Sequence, residues 1–396
     1  MSEGRHDAPR VHLHRFLRGW RGWRSDVRRV EGRPRAGDLV EVWDGRGEFA
    51  GWAFWQPRAA LALRMVALEG APPDAATWRA RAEAALARRR LDPSVPTDPV
   101  RVLHAEGDDF PGLMVDRYGP VLVAVAYTAP MLEVFRIVQP MLAEALDAPH
   151  WALALDRTAA DAEGSPPFEK RSAGCPPRVV FEEHGLRWEI FPGDGHKTGF
   201  FLDQRENRGR FAEWVAHARA EGRRTRVLDV CSYVGGFALQ AARVGAEEVV
   251  GVDLDERAVA QAKRHAAMNQ LGKAARFVHA DAFSWLRQAV QNGARYDFVV
   301  VDPPKFVPSR REMEKGRGRY HDLNKLALQV LEPGGVLVTC SCSGLLAPIE
   351  FQELLRRAAR PRGLRILRET GAGPDHPVRA DFPEGRYLKC LWCAAD

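Results

Sequence analysis

The chain is poor in several things that would have fixed its class at once. It has no apolar run long enough to span a bilayer, so no transmembrane segment is expected. Its first residues, Met1-Ser2-Glu3-Gly4-Arg5-His6, lack the apolar stretch of a secretory leader. The cytoplasm is therefore the expected compartment. Cysteine is sparse and scattered, six in 396 residues, which excludes the dense disulfide framework of a small secreted domain. Cys390-Leu391-Trp392-Cys393 has no second Cys-x-x-Cys to complete it. It lies in an apolar terminal strand whose alternation separates the two side chains, so it reads as structural and no metal is expected. Lysine is also scarce: most of the 58 basic residues are arginine, and the net charge is only +6.

What is present is unevenly placed. Between Arg5 and Arg35 stand ten arginines against Asp7, Asp26 and Glu31, with Trp20 and Trp23 among them. Arginine interleaved with aromatics suits phosphate contact and base stacking. A general preference for arginine would give the same count without a function. The length suits two or three domains. Residues 1–12 read as a flexible basic arm. Residues 13–72 read as a small β-barrel: Asp38–Asp44 alternates, Gly45-Arg46-Gly47 turns, and Phe49–Phe54 returns. Residues 73–182 hold a linker helix over Ala75–Arg90 and a central α+β subdomain. That subdomain has a strand at Val121–Ala126 and a helix over Met131–Leu146 that Pro140 should kink or break. Residues 161–177 read as a loop.

In residues 183–396 the pattern changes. From Arg226 onward, apolar strands at 227–232, 248–253, 276–279, 297–302 and 336–341 alternate with amphipathic helices at 236–244, 256–270, 283–291 and 322–331. This is α/β alternation, and it predicts a parallel Rossmann-like sheet with helices on both faces. Right-handed crossovers bring the strand ends to one edge, where open α/β sheets bind ligands. Asp229, Asp253, Asp281, Asp302 and Cys342 fall at or near those ends.

The first strand runs into Ser232-Tyr233-Val234-Gly235-Gly236, a small-residue turn that opens a helix. Its glycines permit close backbone approach, and the helix amides favour a carboxylate. Asp253 ends the next strand and is placed to accept from both ribose hydroxyls of a nucleoside. Asp281, with Ala282 beside it, follows the third strand and suits an adenine amino group. Each acid alone could be a helix cap; three in register point to a nucleoside cofactor. A dehydrogenase fits less well, because the loop lacks Gly-x-Gly-x-x-Gly spacing.

Two further motifs carry substrate chemistry. Asp302-Pro303-Pro304-Lys305-Phe306 stiffens the turn after a buried strand and presents an acid and proline carbonyls to a planar base, with Phe306 available to stack. Thr339-Cys340-Ser341-Cys342-Ser343-Gly344 ends the next strand. A thiolate adding to carbon 6 of cytosine makes carbon 5 enamine-like and able to accept an electrophilic methyl. A neighbouring cation would raise the thiolate fraction of a group whose ordinary pKa is ~8.5. Alternation puts Cys340 and Cys342 on one face, and the Ser-Cys-Ser-Gly context at the strand's end favours Cys342. Strand cysteines are also common apolar fillers.

Taken together, Gly195-His196-Lys197-Thr198-Gly199-Phe200-Phe201-Leu202-Asp203-Gln204-Arg205, Ser232–Phe237, Asp302–Phe306, Ser341–Leu345, Asp375-His376-Pro377-Val378 and Pro383–Lys389 resemble the bacterial 23S rRNA cytosine-5 methyltransferases that carry an N-terminal PUA domain. The resemblance implies a PUA barrel, a central α+β subdomain and a C-terminal class I methyltransferase domain using S-adenosyl-L-methionine. It implies Cys342 as nucleophile and Asp302 as the residue that grips the base beside the cofactor. Lys197, Phe200, Arg205, Pro303, Pro304, Lys305, Phe306, Tyr320 and Asn324 would line the substrate side. Ser232, Tyr233, Gly235, Gly236, Asp253, Asp281, Ala282 and Asp302 would hold the cofactor. Ribosomal RNA would be the partner, with no membrane or metal, and a homodimer remains open. The chain departs from the pattern at Arg18–Arg24, at Cys340, and at Lys305, where two-cysteine enzymes carry a second thiol. The base that removes the carbon-5 proton is unassigned. Transfer to a base nitrogen without a nucleophile is the first rival reading, and a non-catalytic RNA-binding assembly factor is the second.

Overall fold

The computed structural model describes residues 8–16, 19–193 and 197–396. The first part of the expected basic arm, Arg18, and Gly195 and His196 of the motif above lie outside the described residues; the arm's last residues, 10–12, are not flexible but belong to a strand paired on both sides, with Val11 fully buried. The chain divides into two units: residues 1–181, 190–202 and 374–385 form one, and residues 182–189, 203–373 and 386–396 the other.

The first unit opens with β1 (Arg10–Leu13), β2 (Arg21–Trp23), β3 (Val27–Glu31), β4 (Leu39–Trp43), β5 (Phe49–Trp55) and β6 (Leu61–Ala67), in the order β2-β6-β5-β4-β1-β3. Strand alternation does the folding: Gly51, Ala53 and Trp55 of β5 point inward while their neighbours do not. Gly51 is required, because a Cβ there would lie 2.2 Å from the carbonyl oxygen of Ala67. Trp20 is buried and donates to Asp381 at 3.2 Å, so of the two early tryptophans only Trp23 is exposed.

Helix α1 (Ala75–Arg89) starts at Asp74, whose carboxylate accepts from the Thr77 amide at 2.7 Å. Then follow β7 (Val100–His104), β8 (Leu113–Tyr118), β9 (Val121–Ala126), α2 (Pro130–Ala145), β10 (His150–Leu155), α3 (Arg157–Glu163) and β11 (Glu169–Arg171), the strands in the order β11-β10-β9-β8-β7. Two expectations are corrected here. Helix α2 runs unbroken through Pro140. Pro140 is exposed, while Val134, Phe135, Val138 and Leu142 are buried and anchor the helix. The stretch 161–177 is not all loop: it holds the end of α3, capped by left-handed Gly164, and the edge strand β11.

A buried ionic cluster ties this unit together. Arg89 meets Asp108 through both its terminal nitrogens, one at 2.6 Å, and Arg101 meets Asp116 through two nitrogens. Asp375 accepts from the Arg101 amide at 3.0 Å and from His376 at 2.9 Å. The Asp375-His376-Pro377 motif is thus part of the first unit's interior. Gly107 makes room for it, since a Cβ there would lie 2.0 Å from the Pro377 carbonyl oxygen.

β12 (Val179–Glu183) and β13 (Leu186–Ile190) form a hairpin. The second unit continues with α4 (Arg205–Ala220), β14 (Arg226–Val230), α5 (Gly236–Arg243), β15 (Glu248–Asp253), α6 (Glu256–Met268), β16 (Arg276–His279), α7 (Ala282–Gln291), β17 (Tyr296–Val301), α8 (Met313–Val330), β18 (Leu331–Ser341), α9 (Pro348–Ala358), β19 (Leu364–Thr370) and β20 (Lys389–Ala395). Its sheet has the order β16-β15-β14-β17-β18-β20-β19. Only β20 runs against its neighbours. The core is built by Leu228, Val230, Val250, Val252, Val299, Val301 and Leu337 of the central strands, against Leu323 and Ala327 of α8 and Phe351 and Leu355 of α9. Each large apolar side chain buried there contributes about 1.5–3 kcal/mol. Helix α8 begins before the expected 322, because its polar first half, with Gly316 and Gly318, hides the helical period.

Candidate cofactor and nucleophile site

The first strand of the sheet sets up the cofactor end. After β14, Cys231, Tyr233 and Gly235 all have positive φ, +62°, +48° and +87°. Two of these are not glycine, a strain of about 1–3 kcal/mol each that the surroundings must hold. They do so through backbone bonds. The Ser232 amide donates to Val252 O at 3.0 Å, Gly235 N to Ser232 O at 2.8 Å, and Tyr233 N to the Asp253 carboxylate at 2.7 Å. At Gly235 a Cβ would lie 2.8 Å from the Phe277 ring. The turn's backbone is therefore packed closely against its neighbours.

Its surroundings are rich in acid. Asp229 is 1% exposed; one oxygen accepts from the Ala238 amide at 2.9 Å, and the other, Oδ1, has no partner. Burial pushes its carboxyl up to about 8, with Asp302 and Asp253 adding to the effect. The buried hydroxyl of Ser232 is also without a partner. The Cys231 thiol is pushed up by burial and then by Asp253, Asp302, Asp229 and Asp281. Buried polar atoms left open beside four carboxylates fit a cationic, polar ligand. S-adenosylmethionine, with its sulfonium and amino-acid ammonium, is such a ligand, so the residues present fit it.

Asp253 accepts from Tyr233 N through one oxygen and from Asp255 N, at 2.8 Å, through the other. It is fixed in orientation at the end of β15. Asp281 is the N-cap of α7 and accepts from Ser284 N at 2.9 Å. It is a cap and a strand-end acid at once. Ala282 is the first residue of that helix, as Gly236 is of α5.

The substrate motifs meet at the ends of β17 and β18. Asp302 accepts from Gln204 Nε2 at 3.0 Å, and the same nitrogen lies 3.4 Å from the Cys340 sulfur. Cys342 lies just beyond β18, half-buried, its sulfur 3.9 Å from the carbonyl oxygen of Pro303. Cys340 is fully buried, and a hydrogen bond with Cys390 together with burial pushes its thiol well up. Cys340 is thus closed off within the strand, whereas Cys342, past the strand's end, is partly exposed. Pro304 and Lys305 are exposed, and Pro303 is buried.

Three expected lining residues are corrected. Phe306 is buried, packed edge-on against Tyr320 at 5.0 Å with the Arg319 guanidinium over its ring, so it does not offer a free stacking face. Tyr320 is fully buried and bonds Ser343 at 2.9 Å. Asn324 donates to Tyr320 O at 2.8 Å and accepts from Thr339 at 2.7 Å. All three brace the loops from behind, because apolar packing and internal hydrogen bonds consume them. Arg205 is buried 3.6 Å from Glu183, which also takes a two-pronged bond from Arg208 at 2.7 and 2.9 Å. Lys197 and Phe200 belong to the first unit: Phe200 is buried against Phe181, and Lys197 is exposed with its ammonium over Phe201.

Two residues given no role by sequence reasoning stand out. Gln204 links Asp302 to Cys340, and Lys389 donates to the Ser343 carbonyl at 2.7 Å. Both lie inside quoted motifs, which was the only signal, since neither is near its partners in the chain.

Comparison with known proteins identifies the family. Residues 100–380 match the family described as S-adenosylmethionine-dependent methyltransferase, and residues 23–67 match a PUA-like domain. A Deinococcus radiodurans protein named ribosomal RNA large subunit methyltransferase is 38% identical, with all of both chains covered. A Vibrio cholerae protein named ribosomal RNA large subunit methyltransferase I is 33% identical over 93% of each. A solved Streptococcus mutans structure, 20% identical, shares the fold with a TM-score of 0.78 over 92% of this chain and 93% of that one. A β-rich PUA-like region, a Rossmann-like sheet with one reversed strand, and an acidic cofactor turn thus place the chain in the PUA-containing class I family of S-adenosylmethionine-dependent methyltransferases.

Proposed function

We propose that this methyltransferase acts in the cytoplasm on large-subunit ribosomal RNA, forming 5-methylcytosine through a covalent bond from Cys342 to carbon 6. The observation that carries the reading is the position of Cys342: half-buried at the end of β18, its sulfur 3.9 Å from the Pro303 carbonyl oxygen, beside the Asp302 turn. The names of the relatives support the RNA class.

Bound S-adenosylmethionine supplies an electrophilic methyl group. Ser232, Tyr233, Gly235 and Gly236 would hold its amino-acid end, Asp253 the ribose, and Asp281 with Ala282 the adenine. Asp302, oriented by Gln204, borders both cofactor and base. Its carboxylate and the Pro303 carbonyl are acceptors, which suits the amino edge of cytosine. Cys342 adds to carbon 6 and makes carbon 5 nucleophilic; carbon 5 takes the methyl group, loses its proton to water, and the same sulfur leaves as the ring recovers its double bond. The target must be unpaired or flipped out of a helix. Exposed Trp23, Arg24, Arg28, Arg29, Arg33 and Arg35 on the first unit suit backbone contact and stacking.

Nucleoside mass spectrometry of RNA treated with the enzyme tests this. The wild type and Cys340→Ala should yield 5-methylcytidine, and Cys342→Ala none, with cofactor binding by calorimetry intact. Full activity of Cys342→Ala would sink the reading, and an N-methylated product would move the methyl to a base nitrogen.

A further inference from the structure

Lys389 is the second residue from which the candidate chemistry can be read. It sits on β20 directly opposite Ser341, one residue before Cys342 in the chain. Its side chain is 4% exposed. Its ammonium donates to the carbonyl of Ser343, the residue after Cys342, at 2.7 Å. Among the described residues no carboxylate lies within ion-pair distance of it, while the buried arginines Arg89, Arg101 and Arg208 each have one. A buried cation without a counter-charge is costly, and an anion formed beside it lowers that cost.

We propose that Lys389 is the positioning residue that generates and holds the Cys342 thiolate. This inference rests on the reading of Cys342 as nucleophile. The S–H bond of Cys342 breaks with its bonding pair staying on sulfur, its proton passes to water, and the Lys389 ammonium stabilises the thiolate that is left. A thiolate–ammonium pair results. The sulfur lone pair then makes the bond to carbon 6, and breaking of that bond returns the thiolate to the ammonium. Solvent water takes up the proton released from sulfur.

The electrostatics agree. Burial pushes Lys389 down to about 8, with Cys342 acting to raise it and Lys305 to lower it. An ordinary thiol titrates near ~8.5, and a positive charge beside it favours the thiolate. Of the other titratable groups, Lys305 after β17 acts on Lys389, and Tyr320 on α8 is influenced by Cys342. Tyr320 is itself pushed up to about 12, by burial and then by Cys342, so it stays neutral.

The test is the pH profile of iodoacetamide labelling at Cys342, read by peptide mass spectrometry on the full chain. The wild type should label with a midpoint below ~8.5. Lys389→Met should raise that midpoint by about one pH unit or more, roughly tenfold slower labelling at pH 7. Lys389→Arg, which keeps the charge, should restore most of it. A Lys389→Met protein with wild-type melting and an unchanged profile would overturn the proposal. Should that variant fail to fold, the wild-type profile decides alone: a midpoint at or above ~8.5 overturns it. Methylation by Cys342→Ala would instead defeat the nucleophile reading, which the labelling shift does not measure.

Discussion

Both units bury ionisable groups, and they treat them in opposite ways. In the first, Asp108 and Asp116 have no exposed surface, and each meets a guanidinium that is itself buried. In the second, Asp229 is 1% exposed, yet one of its oxygens has no partner. Lys389 is 4% exposed with no carboxylate in reach among the described residues. Paired buried charges hold segments in place, and removing one partner leaves the other stranded. Open ones cost stability in the empty protein and are tolerated where a ligand or a reaction meets them. The contrast separates the motif Asp375-His376, which serves the interior of its unit, from Asp229, whose open oxygen borders the proposed cofactor site.

The largest expected effect breaks the contrast on the reactive side. Cys342→Ala should lower methylation at least about a thousandfold, measured by transfer of labelled methyl, because a lost nucleophile removes a whole pathway. Next comes the paired side. Asp108→Ala strands Arg89 and should destabilise the protein by about 3–5 kcal/mol in urea unfolding, without a comparable change in cofactor affinity in the folded protein.

A smaller effect is expected from Asp229. Its folded-state value is raised from 3.8 to about 8, so the folded protein binds a proton that the unfolded chain releases above 4. Its stabilising contribution is complete below that point and is lost as pH rises toward 8. Wild-type stability should therefore fall between pH 5 and 7 by up to about 1.4 kcal/mol per unit. Asp229→Asn should flatten the curve; an unchanged slope would contradict the assignment. The smallest effect is expected at Cys340. Cys340→Ala should leave the methylation rate within a few-fold of wild type, since its thiol is buried, neutral and bonded to Cys390.

These residues also show what could be read before the fold was known. The central strands were legible because buried parallel strands are continuous apolar runs, as in Val299-Val300-Val301. The acids at strand ends followed from that alternation alone. Helix α8 was read short, because glycines and charges fill its first turns. Pro140 misled because a local rule cannot tell which face of a helix meets water. Phe306, Tyr320 and Asn324 were read as lining the site, since burial is a property of the packed unit and not of a motif. The choice between Cys340 and Cys342 needed β20, whose Cys390 lies opposite Cys340 and whose Lys389 reaches past it. No local pattern links positions so far apart in the chain.

The central claim is that Cys342 bonds to cytosine carbon 6, and trapping tests it most directly. RNA carrying 5-fluorocytosine cannot lose fluorine as a proton is lost, so the adduct should persist. Denaturing electrophoresis should show a protein–RNA species whose crosslinked peptide contains Cys342, and Cys342→Ala should show none. Methylation of the unfluorinated RNA with no trapped species from its fluorinated counterpart would contradict the account.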